Sequence, residues 1–204
     1  MVILALFALL LQPSPPASQV VTVVLQTDIG AITIEVDSRR APITAANFLR
    51  YVDAGMYEGG RFHRAVRPET ESRTDYPIEV VQAGRRTGNG APPDFPPIAL
   101  ERTSATGIRH TDGVISMARG GADTATSDFF ICIGNQPTLD AGGGRNSDRQ
   151  GFAAFGRVVS GMDVVRRIQQ SPVAPAAGQG GTPPGRPLSQ TLAPPIQILS
   201  ARRK

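Results

Sequence analysis

Near the end of the chain, Ile196 to Leu199 form a single apolar run set behind a long Gly- and Pro-rich stretch, Pro172 to Pro195. One strand cannot bury its own apolar side or pair its own backbone N–H and C=O groups, so this run must return to a sheet built from earlier residues. From Val20 the chain reads Val-Val-Thr-Val-Val-Leu-Gln-Thr-Asp-Ile-Gly-Ala-Ile-Thr-Ile-Glu-Val, two β-branched stretches about a turn at Asp28 to Gly30, which is a hairpin pattern. Phe62 to Val66, Ile78 to Gln82, Gly113 to Ala118, Asp128 to Ile133 and Ala153 to Val159 read as further short strands. Helical spacing appears twice. Ala45, Phe48, Leu49 and Val52 recur at i, i+3, i+4 and i+7 behind Pro42, with Gly55 placed for a left-handed cap, and Gly161 to Gln170 turns Met162, Val165 and Ile168 inward. Many short strands with one helix near each end predict a closed or nearly closed antiparallel barrel whose openings the two helices cover.

The composition supports one core of ordinary size. Of 204 residues, 40% are hydrophobic and 19% charged, and 22 Gly with 18 Pro fall short of a disordered composition. Three Tyr, eight Phe and no Trp argue against a carbohydrate groove or a stacking platform for single-stranded nucleic acid. Lys and Arg total 21 against 17 acids, with Lys204 the only lysine and the arginines scattered in ones and twos, so no nucleic-acid partner is expected.

No charged side chain precedes Asp28, and Val2 to Leu11 is an apolar run, too short for the roughly 20 residues a spanning helix needs. Small and helix-breaking residues follow it, as in a secretory signal peptide cleaved near Ala17. The expected organisation is a signal peptide at residues 1–17 and one functional domain at 18–204, delivered to the periplasm or secreted without a membrane anchor. The missing Lys or Arg at the start leaves a misassigned start codon or a buried first strand as alternatives. Cys132 is the only cysteine, which removes both a disulfide framework and a lipid-modified cysteine after the run.

Metal and hydrolytic chemistry lack the residues. The two histidines, His63 and His110, stand apart from the one cysteine without metal-ligand spacing, and no metal or other cofactor is expected. No nucleophile elbow, Walker loop or His-Glu-x-x-His is present. Asn146 to Gly151 imitates the start of a calcium loop, but Arg157 occupies the position that needs a bidentate Glu. Cys132 reads as a packing residue, having no activating partner. Of Phe129 and Phe130, which alternate on one strand, one belongs to the core by default.

Five blocks remain: Gly60-Arg-Phe62-His63-Arg64-Ala-Val, Val80-Val-Gln82-Ala-Gly84, Ile115-Ser-Met117-Ala118-Arg119, Ser127-Asp-Phe129-Phe130-Ile131 and Phe152-Ala-Ala-Phe155-Gly156-Arg157-Val158. In order, spacing and β context, over roughly Val20 to Arg202, the chain resembles the cyclophilin family of peptidyl-prolyl cis/trans isomerases. The resemblance implies an eight-stranded antiparallel β-barrel capped by two helices, with a groove for proline-containing polypeptides on its outer face, working as a monomer. It implies that Arg64 is the catalytic arginine with Gln82 beside it. Phe130, Leu139, Phe152 and Val80 stand at proline-pocket positions, Ala118 and the Arg119 backbone stand where the substrate chain is held before the proline, and His63 supports the binding surface.

These residue types suit the reaction. An X-Pro bond rotates slowly because nitrogen's lone pair is delocalised into the carbonyl, a barrier of about 18–20 kcal/mol. A guanidinium aimed at the prolyl nitrogen stabilises the twisted form, in which that lone pair is localised. Departures from the family pattern mark the groove. Thr138 stands where many members carry a Trp, Glu79-Val80 where an apolar pair is usual, and apparent insertions occupy Glu69 to Pro77 and Ala141 to Gln150. Either Val80 or Ile78 lines the pocket with Glu79 turned away, or the register slips there. The second insertion is placed to act as a specificity lip. Strict alternation puts Arg61 on the opposite side of its strand from Arg64. A proline-peptide binding module or chaperone with little turnover is the competing reading, since the same groove can bind without lowering the barrier.

Overall fold

A computed structural model describes residues 20–88, 90–175 and 189–204. The expected signal peptide and the start of the following domain at residue 18 lie outside the described residues. The elements run β1 (Val20–Thr27), β2 (Gly30–Asp37), α1 (Pro42–Asp53), β3 (Arg61–Val66), β4 (Val80–Gly84), α2 (Thr103–Thr106), β5 (Val114–Met117), β6 (Phe129–Cys132), β7 (Ala153–Ser160), α3 (Met162–Gln170) and β8 (Thr191–Arg203). The eight strands close into a barrel in the order β1-β2-β7-β5-β6-β4-β3-β8, and every pairing is antiparallel.

The lone C-terminal run does return to the sheet, and it closes the barrel. Pairing of β8 with both β1 and β3 joins the two ends of the strand order. β8 is far longer than the expected Ile196 to Leu199, because Pro194 and Pro195 lie within it. They are tolerated where the β3–β8 register jumps from Phe62↔Ile196 to Arg64↔Thr191, a stretch in which no ladder hydrogen bond is required of them. β4 begins at Val80 rather than Ile78.

Alternation turns one side of every strand into an interior cluster and, on β3, β4 and β6, sends the other side to a second, outer cluster. Inward residues such as Leu25, Ile32, Ile34, Phe62, Val81, Ile115, Met117, Phe129 and Ile131 fill the barrel with Phe48, Val52, Val165 and Ile168 from the helices. The α1 side packs on β2, β7 and β8, and α3 on β2, β3 and β4. Gly55 follows α1 at φ +65°, in the left-handed conformation its position predicted. A third helix, α2, is a single turn ended by Gly107, too short to leave a periodic pattern and so unforeseen.

One irregularity in β3 decides where its side chains go. Phe62 pairs with Ala83 and Arg64 with Gln82, so His63 is an extra residue without a partner on β4, a β-bulge. Phe62 and Ala65 both point into the interior cluster, and His63 and Arg64 therefore both face out. The expectation that Arg61 lies opposite Arg64 is overturned by the same bulge, since Arg61, next to the inward Phe62, also lies outside.

Close approach of β7 to β2 depends on Gly156. A Cβ there would stand 2.3 Å from the Glu35 carbonyl oxygen, a contact only backbone separation can relieve. Gly156→Ala is expected to lower the unfolding free energy by about 1–3 kcal/mol, the usual range for overpacking, measured by urea denaturation. An unchanged midpoint would mean that the strands separate at no cost.

Candidate active site

The outward residues of β3, β4 and β6 would meet water if nothing covered them. Instead Val66, Ile78, Val80, Phe130, Cys132, Leu139 and Phe152 form a second apolar cluster on the outer face, with Ala118 packed against it. Above it is a pocket of about 220 Å³ lined by Arg64, Ile78, Val80, Gln82, Ala118, Arg119, Phe130, Leu139, Arg145, Asn146 and Phe152. Larger hollows lie elsewhere, one among Glu35, Asp37, Arg40 and Arg157, another beside Phe95 and Arg203. Neither contains a residue expected at the catalytic or substrate-binding site, so the smaller pocket is the candidate site.

The structure thus brings together Arg64, Gln82, Val80, Ala118, Arg119, Phe130, Leu139 and Phe152, and it leaves His63 outside the lining. The His63 Nε2 lies 3.7 Å from Asp128 Oδ2, on a partly exposed side chain. The choice between Val80 and Ile78 needs no decision, because both line the pocket. Glu79 turns away, its carboxylate accepting a hydrogen bond from Gln169 Nε2 of α3 at 3.1 Å. Phe129 lies inside the barrel and Phe130 in the pocket, where its ring meets Phe152 edge-on at 5.3 Å.

Arg64 is the charged group of this pocket. Its Nη1 donates to Gln82 Oε1 at 2.9 Å and its Nε to Gln190 Oε1 at 2.8 Å. Burial and the neighbouring Arg145 charge lower the Arg64 pKa, while Glu71 acts in the opposite direction. Gln82 Nε2 in turn donates to Asp128 Oδ2 at 3.2 Å.

Both insertions form the rim. Arg145 donates from Nη1 to Glu71 Oε2 and to the Tyr76 carbonyl, each at 2.8 Å, and its backbone N–H reaches the Thr138 carbonyl at 3.2 Å. Burial would raise the Glu71 carboxyl, but the backbone N–H groups of Arg73 and Ile78 together with Arg145 outweigh it and hold it below the ordinary carboxylate range. Arg145 and Asn146 thereby reach the pocket lining beside Thr138. The sequence marked their loop as an insertion but could not pick out these two residues, since both are common surface types.

On the other side of the pocket, Arg119 is not a rim charge left to solvent. Its buried guanidinium donates to both Asp148 oxygens at 2.7 and 2.9 Å and to the Gly151 carbonyl at 2.6 and 2.8 Å, and it lies over the Phe152 ring. The loop carrying Asp148 is thus fixed to the pocket at both ends.

Beneath Phe130 lies the second histidine. Asp140 Oδ1 accepts from the His110 backbone N–H at 3.0 Å and lies 2.8 Å from His110 Nδ1, while His110 Nε2 lies 3.0 Å from Ser116 Oγ. With Asp140 ionised, Nδ1 donates and Nε2 accepts the serine hydroxyl. The order is that of a nucleophile, base and acid, but Ser116, His110 and Asp140 are only 0%, 1% and 7% exposed, so no substrate carbonyl reaches them. Their observable role is to hold the imidazole parallel to Phe130, centroids 5.9 Å apart. Burial also pushes the Cys132 thiol pKa up, which leaves it unreactive. Among the described residues, no His, Cys, Asp and Glu cluster could hold a metal ion, and no helix is long and apolar enough to cross a membrane.

Arg119 and the Gln150 N–H hold the Asp148 carboxyl down at about 2, against an ordinary 3.8. A lowered folded-state value means that the pair is intact above the ordinary value and is lost as pH falls toward the lowered one. Carbon-detected titration of the Asp148 carboxyl is expected to show a midpoint near the lowered value, rising toward the ordinary one in Arg119→Ala. An ordinary midpoint in the unsubstituted protein would show that the pair does not form.

The family model for cyclophilin type peptidyl-prolyl cis-trans isomerases matches residues 22–201. Peptidyl-prolyl cis-trans isomerase A of Dickeya dadantii is 35% identical over 160 residues, covering 78% of this chain and 76% of its own. A peptidyl-prolyl cis-trans isomerase of Acinetobacter baylyi is 32% identical over 157 residues, covering 74% and 72%. The crystal structure of a cyclophilin type isomerase from Cryptosporidium parvum superposes with a TM-score of 0.68 at 19% identity, over 91% of this chain and 98% of that one. A barrel closed by its last strand, an outward arginine over an apolar pocket and this agreement along nearly the whole described sequence lead to one conclusion: the chain belongs to the cyclophilin-type peptidyl-prolyl cis-trans isomerases.

Proposed function

We propose that Arg64 lowers the barrier to X-Pro rotation by donating to the prolyl nitrogen while the apolar pocket grips the pyrrolidine ring. The observation that carries this is a guanidinium held by two neutral amides at the wall of an apolar cup. As the peptide twists, conjugation is lost and the nitrogen becomes a hydrogen-bond acceptor, which it is not in either planar isomer. A donor already in place then binds the twisted state better than the ground state. No bond breaks and no proton need be transferred. Val80, Ile78, Phe130, Leu139 and Phe152 exclude water from the ring, and the lower polarity strengthens the attraction to Arg64. Ala118 and the Arg119 backbone hold the chain preceding the proline, so that the flanking segment turns against a fixed ring. His63 supports the adjoining surface. Action as a monomer is part of this proposal.

Arg64→Ala is expected to lower kcat/KM about 100- to 1000-fold, or about 2.7–4 kcal/mol, as for removal of a preorganised transition-state donor. Ground-state affinity changes far less. Arg64→Lys recovers little, because a compact ammonium cannot present a planar fork. Exchange spectroscopy on an Ala-Pro peptide compares these with Arg61→Ala, exposed and outside the pocket lining, as control. A folded Arg64→Ala protein turning over at the unsubstituted rate would remove Arg64 from the mechanism.

We also propose that the protein is exported and assists the folding of exported polypeptides, on the strength of the apolar run at Val2 to Leu11 and the small residues after it. N-terminal sequencing of the protein from its native host is expected to begin close to Ser18. Recovery from the cytosol with Met1 or Val2 intact would overturn the export reading.

A further inference from the structure

Gln190 lies 126 residues from Arg64 in sequence, within the Gly/Pro-rich stretch Pro172 to Pro195, and nothing in its surroundings along the chain marks it. We infer that Gln190 is a positioning residue for catalysis, completing with Gln82 a two-amide clamp that aims the Arg64 guanidinium into the pocket. The inference rests on the proposed role of Arg64.

A glutamine amide can present either its oxygen or its NH₂ to a neighbour, so the amide orientation must itself be fixed. At Gln190 it is fixed by the backbone. Gln190 Nε2 donates to the Thr70 carbonyl at 2.9 Å, which leaves Oε1 for Arg64 Nε at 2.8 Å. The backbone is equally tied, with the Ala65 N–H donating to the Gln190 carbonyl at 2.8 Å. Thr70 is buried and belongs to a turn closed by its own N–H and that of Glu71 onto the Arg67 carbonyl. Gln82 repeats this logic, its Nε2 bound to Asp128 and its Oε1 turned to Arg64 Nη1. The fork is thus held at two of its three nitrogens by oxygens that cannot rotate away. Nη2 makes no hydrogen bond among the described residues and is left for the substrate.

The clamp's chemistry matters as much as its geometry. A carboxylate at position 190 would hold the fork firmly, but it would also cancel the charge that must act on the prolyl nitrogen. Two amides fix direction and leave the full positive charge. They also answer an electrostatic difficulty, since Arg145 repels Arg64 and the two braces hold the guanidinium in place against that repulsion.

Three measurements test this on the full chain. Gln190→Met, close in shape but unable to accept, is expected to lower kcat about tenfold on an Ala-Pro peptide with KM within about twofold. Displacement by about 1 Å can cost about 100-fold, and one brace remains. In the Arg64→Ala background the same substitution should change nothing further, because Gln190 acts through Arg64. With ¹⁵N-labelled protein, the Arg64 Nε–H should exchange slowly with water and lose at least about tenfold of that protection in Gln190→Met. An Arg64→Ala protein of unsubstituted activity would overturn the role of Arg64 itself. An inactive Arg64→Ala beside a fully active Gln190→Met would overturn only the clamp, as would an equal loss on adding Gln190→Met to Arg64→Ala. Should Gln190→Met fail to fold, the unsubstituted protein decides: an Arg64 Nε–H exchanging as fast as a free arginine overturns the inference, and a protected one sustains it.

Discussion

Everything at the site depends on one unpaired residue in β3. Strict alternation after the inward Phe62 would put His63 outside, Arg64 inside and Ala65 outside. A guanidinium in the barrel interior, among Phe48, Phe62 and Phe129, would be an unpaired buried charge, costing far more than the domain's net stability. The bulge at His63 shifts the phase once, so that Arg64 emerges and Ala65 returns to the core. The small Ala65 and the large Phe62 then share the interior. Fold stability and the proposed role of Arg64 are therefore served by the same irregularity, and a strand made regular here would lose both.

A second constraint follows from placing a cation against an apolar cup. Burial disfavours the charged form of Arg64, and the usual remedy, a contacting carboxylate, would spend that charge before the substrate arrived. The structure keeps carboxylates one step back. Asp128 contacts Gln82 rather than Arg64, and Glu71 is bound to Arg145. The negative charge of Glu71 lowers the cost of the buried cation through space, while direct contact is left to neutral oxygens. This division lets Arg64 remain charged and directional without being neutralised.

The barrel was legible because its signals are local and repeated. β-branched runs, a helix behind Pro42 and a lone terminal strand that had to find partners leave few alternatives. Much of the pocket was legible by resemblance, residue by residue. What escaped has identifiable physical reasons. The bulge leaves no mark in composition, so alternation misplaced Arg61. The α2 turn is shorter than the period that would reveal it. Pro194 and Pro195 disguised half of β8 as a loop, since proline's missing donor shows only that a residue makes no ladder bond and not where the chain runs. Gln190, Arg145 and Asn146 are polar residues of common type whose roles come from a tertiary contact, and no spacing along the chain encodes that.

The two insertions show why a rigid barrel suits a site with a variable rim. Glu69 to Pro77 and Ala141 to Gln150 meet each other through Arg145, Glu71 and Tyr76, and each also reaches back to the reacting centre, one through the Thr70 carbonyl on Gln190 and the other through Asp148 on Arg119. A change of side chain at the outer edge of either loop alters what the pocket meets beyond the proline. A change at Thr70 or Asp148, by contrast, propagates inward to the clamp or to the Phe152 wall. Because the strands beneath are held by a closed ladder and a continuous core, such changes need not disturb the barrel. On the proposed mechanism, substrate preference and catalytic power fall to different atoms of the same two loops, the outer ones free to vary and the inner ones fixed by their hydrogen bonds to the site.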